Sequence, residues 1–222
     1  MSAAEKYLEF KNNLPENVKL VAVSKTKPEE DILEVYNAGQ RIFGENKVQE
    51  MLPKYEALPK DIEWHLIGHL QTNKAKYVAP FVGMIHSVDS IKLLKAINKE
   101  AKKNNRVIPC LLQFHIAEEE TKFGLSLEEA EEILTSETFS ELKNIKISGV
   151  MGMATFTDDQ EKVQREFRHL KQIFEHLREA YFSDDSKFTE ISMGMSDDYQ
   201  IAIEEGSTMV RVGSSIFGSR NE

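Results

Sequence analysis

The chain of 222 residues has only one cysteine, Cys110, so it cannot form an internal disulfide. That residue stands in the apolar run 107–112, where a small buried hydrophobe is expected rather than a reactive thiol. No stretch approaches the roughly 20 apolar residues that span a bilayer. Residues 1–11 carry charges where a signal peptide would be apolar, so a cytoplasmic location without a membrane partner is expected. Positive charge is also scarce. With 28 Lys and Arg against 37 Asp and Glu, the formal net charge is −9, which argues against a duplex nucleic-acid partner while leaving room for a local basic patch. Only 6 Pro and 11 Gly accompany 41% hydrophobic and 29% charged residues, the balance of an ordinary folded domain.

Several motifs are missing. The G-x-G-x-x-G dinucleotide fingerprint is absent, and Ser219 stands where the lysine of a phosphate-binding Walker loop would follow Gly213 and Gly218. No G-x-S-x-G nucleophile elbow occurs. His65 and His69 have helix-type metal spacing, but 64–68 reads as a strand, where residues four apart lie about 13 Å from each other, so no metal site is expected. His169 and His176 share one face of the helix Gln160–Tyr181, whose alternating charges read as a solvated surface.

Eight short runs rich in β-branched residues are present, at 19–24, 41–44, 63–68, 84–88, 107–115, 145–151, 188–192 and 209–212. Helical patterns alternate with them, opened by Pro28 with Glu29, Glu30 and Asp31, by Asp89 and Ser90, by Ser126 with Glu128 and Glu129, by Asp158 and Asp159, and by Ser196 with Asp197 and Asp198. Gly39 and Gly206 stand where left-handed helix stops belong. Strands alternating with helices pair in parallel through right-handed crossovers, which predicts an α/β fold: a single (β/α)8 barrel domain over 1–222, with a doubly wound open sheet as the alternative. An extra N-terminal helix, Ala3–Asn12, precedes the first strand, and only 214–222 follow the last, so that helix is expected to cover the place of a missing final one.

In such a barrel, chemistry gathers at the C-terminal strand ends, with phosphate commonly on the loops after the seventh and eighth. Those ends offer Lys25, Asn46, His69, Asp89, the segment 193–196 and Gly213-Ser214-Ser215. Lys25 is the polar end of an apolar row with Val21 and Val23, and Lys27 is near. Desolvation and like charge would favour its neutral amine, able to attack an aldehyde as a Schiff base, although by residue type a solvated lysine is the commoner case. Segment 192–198 passes through Gly194 into a helix start suited to a phosphate, and Gly213 with Ser214 permits close backbone approach, although either segment read alone is also an ordinary turn. Arg211 lies between valines in the last strand, as part of a structural ion pair or as a directed donor toward the barrel mouth. Facing a pyridine nitrogen, it would keep that nitrogen unprotonated and weaken the ring as an electron sink.

Five segments, 23–28, 43–50, 64–74, 192–196 and 210–218, together resemble the pyridoxal phosphate homeostasis protein family, also called the proline synthase co-transcribed family, over nearly the whole chain. The resemblance implies a barrel like the N-terminal domain of alanine racemase, with pyridoxal 5′-phosphate as cofactor. It implies Lys25 as the attachment lysine, Asn46 near the ring, Ser192 and Ser196 with the backbone of Gly213 and Ser214 as the phosphate cup, and Arg211 toward the ring nitrogen. Lys122 matches a second lysine connected with cofactor exchange, whereas His115 stands where the family pattern has asparagine. Racemization would need a tyrosine from a second domain, for which eight βα units leave no room. The implied function is a monomeric carrier in cofactor homeostasis, serving apo-enzymes and lacking catalytic residues. A small amino-acid racemase and a lysine-dependent aldolase are the alternatives.

Overall fold

The computed structural model describes residues 1–118 and 123–218. Lys122 lies outside them. Parallel strands β1 (Lys19–Val23), β2 (Ile42–Glu45), β3 (Glu63–Leu66), β4 (Met84–Val88), β5 (Ile108–Phe114), β6 (Ile145–Gly152), β7 (Glu190–Ser192) and β8 (Met209–Val212) pair in chain order, and β1 closes onto β8 with Val21 opposite Arg211. The sheet is therefore a closed barrel, and the open-sheet alternative falls away. Its helices are α1 (Ala3–Asn12), α2 (Glu29–Asn37), α3 (Val48–Ala57), α4 (Ala75–Val78), α5 (Ile91–Lys103), α6 (Leu127–Thr135), α7 (Glu137–Glu141), α8 (Gln160–Tyr181), α9 (Tyr199–Glu204) and α10 (Ser214–Phe217). No helix among the described residues is long and apolar enough to cross a membrane.

Alternation along each strand divides the apolar residues between two cores. Val21, Met84, Leu111, Met151 and Met209 fill the barrel interior. Leu20, Ala22, Phe43 and Trp64 point outward and join the larger core beneath the helices. In α8, Val163, Phe167, Leu170, Phe174 and Leu177 recur at helical spacing and are buried, each contributing about 1.5–3 kcal/mol of transfer free energy, while His169 and His176 face solvent. Cys110 is completely buried, and burial pushes its thiol pKa up.

Caps fix the helix starts. Ser126 and Glu129 form a reciprocal capping box on α6, Ser90 caps α5, and Asp159 caps α8. Gly39 and Gly206 take positive φ, 116° and 101°, where the chain turns out of α2 and α9. At the end of the chain, α1 packs on α10 and α2, so the extra N-terminal helix shares the closing position with a one-turn helix that the sequence pattern did not reveal. The other correction is at α9: it begins at Tyr199 rather than Ser196, because Asp198 folds back to accept the Met195 N–H at 2.6 Å and makes 195–198 a turn.

Candidate functional site

The C-terminal ends of β1 and β2 are tied together by a buried clamp. Ser24 Oγ donates to Glu45 Oε1 at 2.6 Å, and Lys54 Nζ donates to the same oxygen at 2.6 Å and to the Ser24 carbonyl at 2.8 Å. Glu45 is fully buried. Burial raises its carboxyl pKa, and the bonds from Lys54 and Ser24 pull it back down. The clamp holds the residues immediately before Lys25 and Asn46, so both side chains project from a fixed base. Beyond Lys25, Thr26 adopts φ 64°, unusual for a β-branched residue, and its N–H is held by Glu50 Oε2 at 2.9 Å. At Gly68 the β3 loop passes so close to Asn46 that a Cβ would lie 2.2 Å from the Asn46 carbonyl oxygen. Only glycine permits this approach.

Arg211 is buried in β8 at the cavity floor. Its Nη1 donates to Ser192 Oγ at 2.6 Å and its Nη2 to the Gly152 carbonyl at 3.2 Å. Burial draws its pKa down to about 10, so it keeps its charge at neutral pH. A hydrogen-bonded row continues from Ser192 through His86 and His65 to Glu63. From α8, the buried Glu166 accepts from the Thr155 N–H and hydroxyl, both at 2.7 Å, and from the Glu118 N–H at 2.9 Å, fastening the loops that follow β5 and β6.

These elements enclose a cavity of about 590 Å³ at the C-terminal mouth, a size suited to one small cofactor. Lys25, Asn46, Ser196, Arg211, Gly213 and Ser214 all line it. Lys27 lines it too, its ammonium bonded to the Phe217 carbonyl at 3.1 Å. Ser192 does not. It is completely buried, and its hydroxyl accepts from Arg211. Among these residues are a half-buried lysine, a guanidinium, two serine hydroxyls and a glycine, a donor set that fits an anionic aldehyde. Exposed Phe123, Met153, Phe156 and Met195 form an apolar rim. His115 is exposed and not part of the lining.

The alanine racemase N-terminal domain model matches residues 2–221. Pyridoxal phosphate homeostasis proteins of Aquifex aeolicus and Vibrio alginolyticus are 44% and 40% identical to the chain, over 91% and 93% of it and 87% and 88% of their own lengths. The chain belongs to the pyridoxal phosphate homeostasis protein family. Among solved structures similar to this family member, PipY of Synechococcus elongatus without PLP has a TM-score of 0.91 at 35% identity, covering 98% of this chain and 100% of that one. The structure of PipY with PLP bound has a TM-score of 0.87 at the same identity and coverage. Alanine racemase of Clostridium difficile, 16% identical with a TM-score of 0.81 over 99% of this chain and 60% of that one, shares the fold.

For this homeostasis-protein chain, motif reading missed the clamp, Gln113 on the cavity wall and His86, whereas His69, expected at the end of strand three, does line the cavity. His86 had a visible signal. In the strand 84–88 it shares Met84's face by alternation, so an imidazole was bound for the barrel interior, where a polar partner is obligatory.

Proposed function

We propose that the chain is one pyridoxal 5′-phosphate-binding barrel domain that takes part in cytoplasmic cofactor homeostasis as a carrier without strong catalysis. The observation that supports this most is the convergence of Lys25, Asn46, Ser196, Arg211, Gly213 and Ser214 on a single cavity, although the sequence scatters them over 190 positions. When bound, the cofactor supplies an aldehyde that condenses reversibly with a primary amine, releasing water. Lys25 would provide that amine from a base made rigid by the clamp. Ser196 and Ser214 would donate to the phosphate, Gly213 would leave its backbone open to it, and Asn46 would contact the ring.

Arg211 bears on the choice between carrier and racemase. A permanent donor facing the ring nitrogen keeps that nitrogen without a proton, which disfavours carbanion chemistry. Release to apo-enzymes would take place across the apolar rim. The test uses two measurements. Lys25→Ala should abolish the absorption band that pyridoxal 5′-phosphate acquires on binding, and an unchanged band would refute the attachment point. Incubation with a panel of single-enantiomer amino acids should give no interconversion at ordinary enzyme rates, of order 1–1000 per second. Turnover in that range would replace the carrier with a racemase.

A further inference from the structure

A row of polar side chains runs down the inside of the barrel, through an interior otherwise filled by Val21, Met84, Leu111, Met151 and Met209. Arg211 Nη1 donates to Ser192 Oγ at 2.6 Å. Ser192 Oγ is 2.9 Å from His86 Nδ1, His86 Nε2 is 2.9 Å from His65 Nδ1, and His65 Nε2 is 2.8 Å from Glu63 Oε1. Ser192, His86 and His65 are almost entirely buried, and the Glu63 side chain is 51% exposed at the opposite end of the barrel. We propose that His86 is a positioning residue for the cofactor-facing guanidinium of Arg211, acting through the Ser192 hydroxyl and oriented in turn by His65 and Glu63.

The two ends of the row impose its direction. A guanidinium only donates and an ionised carboxylate only accepts. With His86 neutral and Glu63 ionised, one arrangement gives every hydrogen an acceptor: Ser192 O–H donates to His86 Nδ1, His86 Nε2–H to His65 Nδ1, and His65 Nε2–H to Glu63. In the reverse arrangement His86 Nδ1–H would point at Ser192 Oγ, which already accepts from Arg211, leaving the serine hydrogen without an acceptor among the described residues. The hydroxyl is therefore locked with its lone pair toward Arg211. A free arginine side chain samples many rotamers, and this lock together with the Gly152 carbonyl fixes two of its five donors. The charge of Asp198 also acts on Arg211 and favours its charged form. An apolar interior would pack at lower desolvation cost, so a polar row ending on a cavity-lining cation points to orientation rather than bulk stability.

This inference rests on the proposed function only for its cofactor readout, so the test has two arms. In the apo-protein, long-range proton–nitrogen NMR should find Nε2–H on both His86 and His65, and Nδ1–H on His86 would overturn the row's direction. In the second arm, the full chain is loaded with pyridoxal 5′-phosphate. His86→Leu and Ser192→Ala should each weaken binding roughly tenfold, the loss of one charge-assisted hydrogen bond, and should alter the bound cofactor's absorption spectrum. The double variant should be no worse than Ser192→Ala alone, since both act through one hydroxyl. Additive losses or unchanged spectra would refute the positioning role. Should His86→Leu fail to fold, Glu63→Leu at the exposed end, which removes the terminal acceptor, should still perturb the spectrum, and an unperturbed spectrum there would refute the row. A wild-type chain that takes up no pyridoxal 5′-phosphate would overturn the proposed function, while the tautomers would still decide the row.

Discussion

Lys54 Nζ meets Glu45 Oε1 at 2.6 Å, with the carboxylate fully buried and its other oxygen without a partner among the described residues. Removing one partner of such a pair strands a charge, which typically costs about 3–5 kcal/mol. Lys54→Met should lower the urea midpoint accordingly, and adding Glu45→Gln should recover much of the loss. The pH dependence follows from the raised carboxyl pKa of Glu45. A carboxyl raised in the folded state stabilises it below the unfolded value, 4.5, and loses that contribution as pH rises through the folded one. Without Lys54 the variant's deficit should therefore grow from pH 4.5 upward. A deficit independent of pH would show that Glu45 is not the source.

The hydroxyls proposed to face the phosphate allow a graded prediction. Ser196→Ala and Ser214→Ala should each weaken retention of pyridoxal 5′-phosphate by about 1.5–3 kcal/mol, measured as dissociation constants, whereas Ser192→Ala should act on the ring side and alter the spectrum as well. Equal retention by both cup variants would leave the backbone alone to hold the phosphate.

His86 carries a second pH signature. Burial, reinforced by His65 and Arg211, pushes its pKa well below 6.5, so the unfolded chain binds an extra proton as pH falls. The stability this histidine permits is complete above about 6.5 and is lost as pH falls from there toward the folded value. Thermal midpoints between pH 7 and 5 should decline in the wild type and decline less in His86→Leu. Parallel curves would mean that other groups set the slope.

Cys110 should resist thiol reagents in the native protein and react at once in denaturant, since its thiol is completely buried and burial disfavours the thiolate. Rapid native labelling would contradict the packing of β5.

Local patterns with a direct physical cause were legible in the sequence. Strands β4 and β8 and helices α1 and α8 have the boundaries that periodicity and caps predict, and most cavity residues follow from standing at strand ends. What escaped depends on register and distance. Ser192 and Ser196 looked equivalent, but β7 is three residues long and its alternation turns Ser192 inward with Glu190. Asp197 and Asp198 resembled first-turn acids, until Asp198 spends its carboxylate on a turn. The clamp joins Ser24, Glu45 and Lys54 across three elements, a contact that no local spacing encodes.

The Lys25 amine is proposed to hold the cofactor aldehyde. Borohydride reduction of the loaded protein, followed by peptide mass spectrometry, tests this most directly. A pyridoxyl group fixed on the peptide containing Lys25 is the predicted result. Modification confined to Lys27 or another lysine, or no adduct at all, would contradict it.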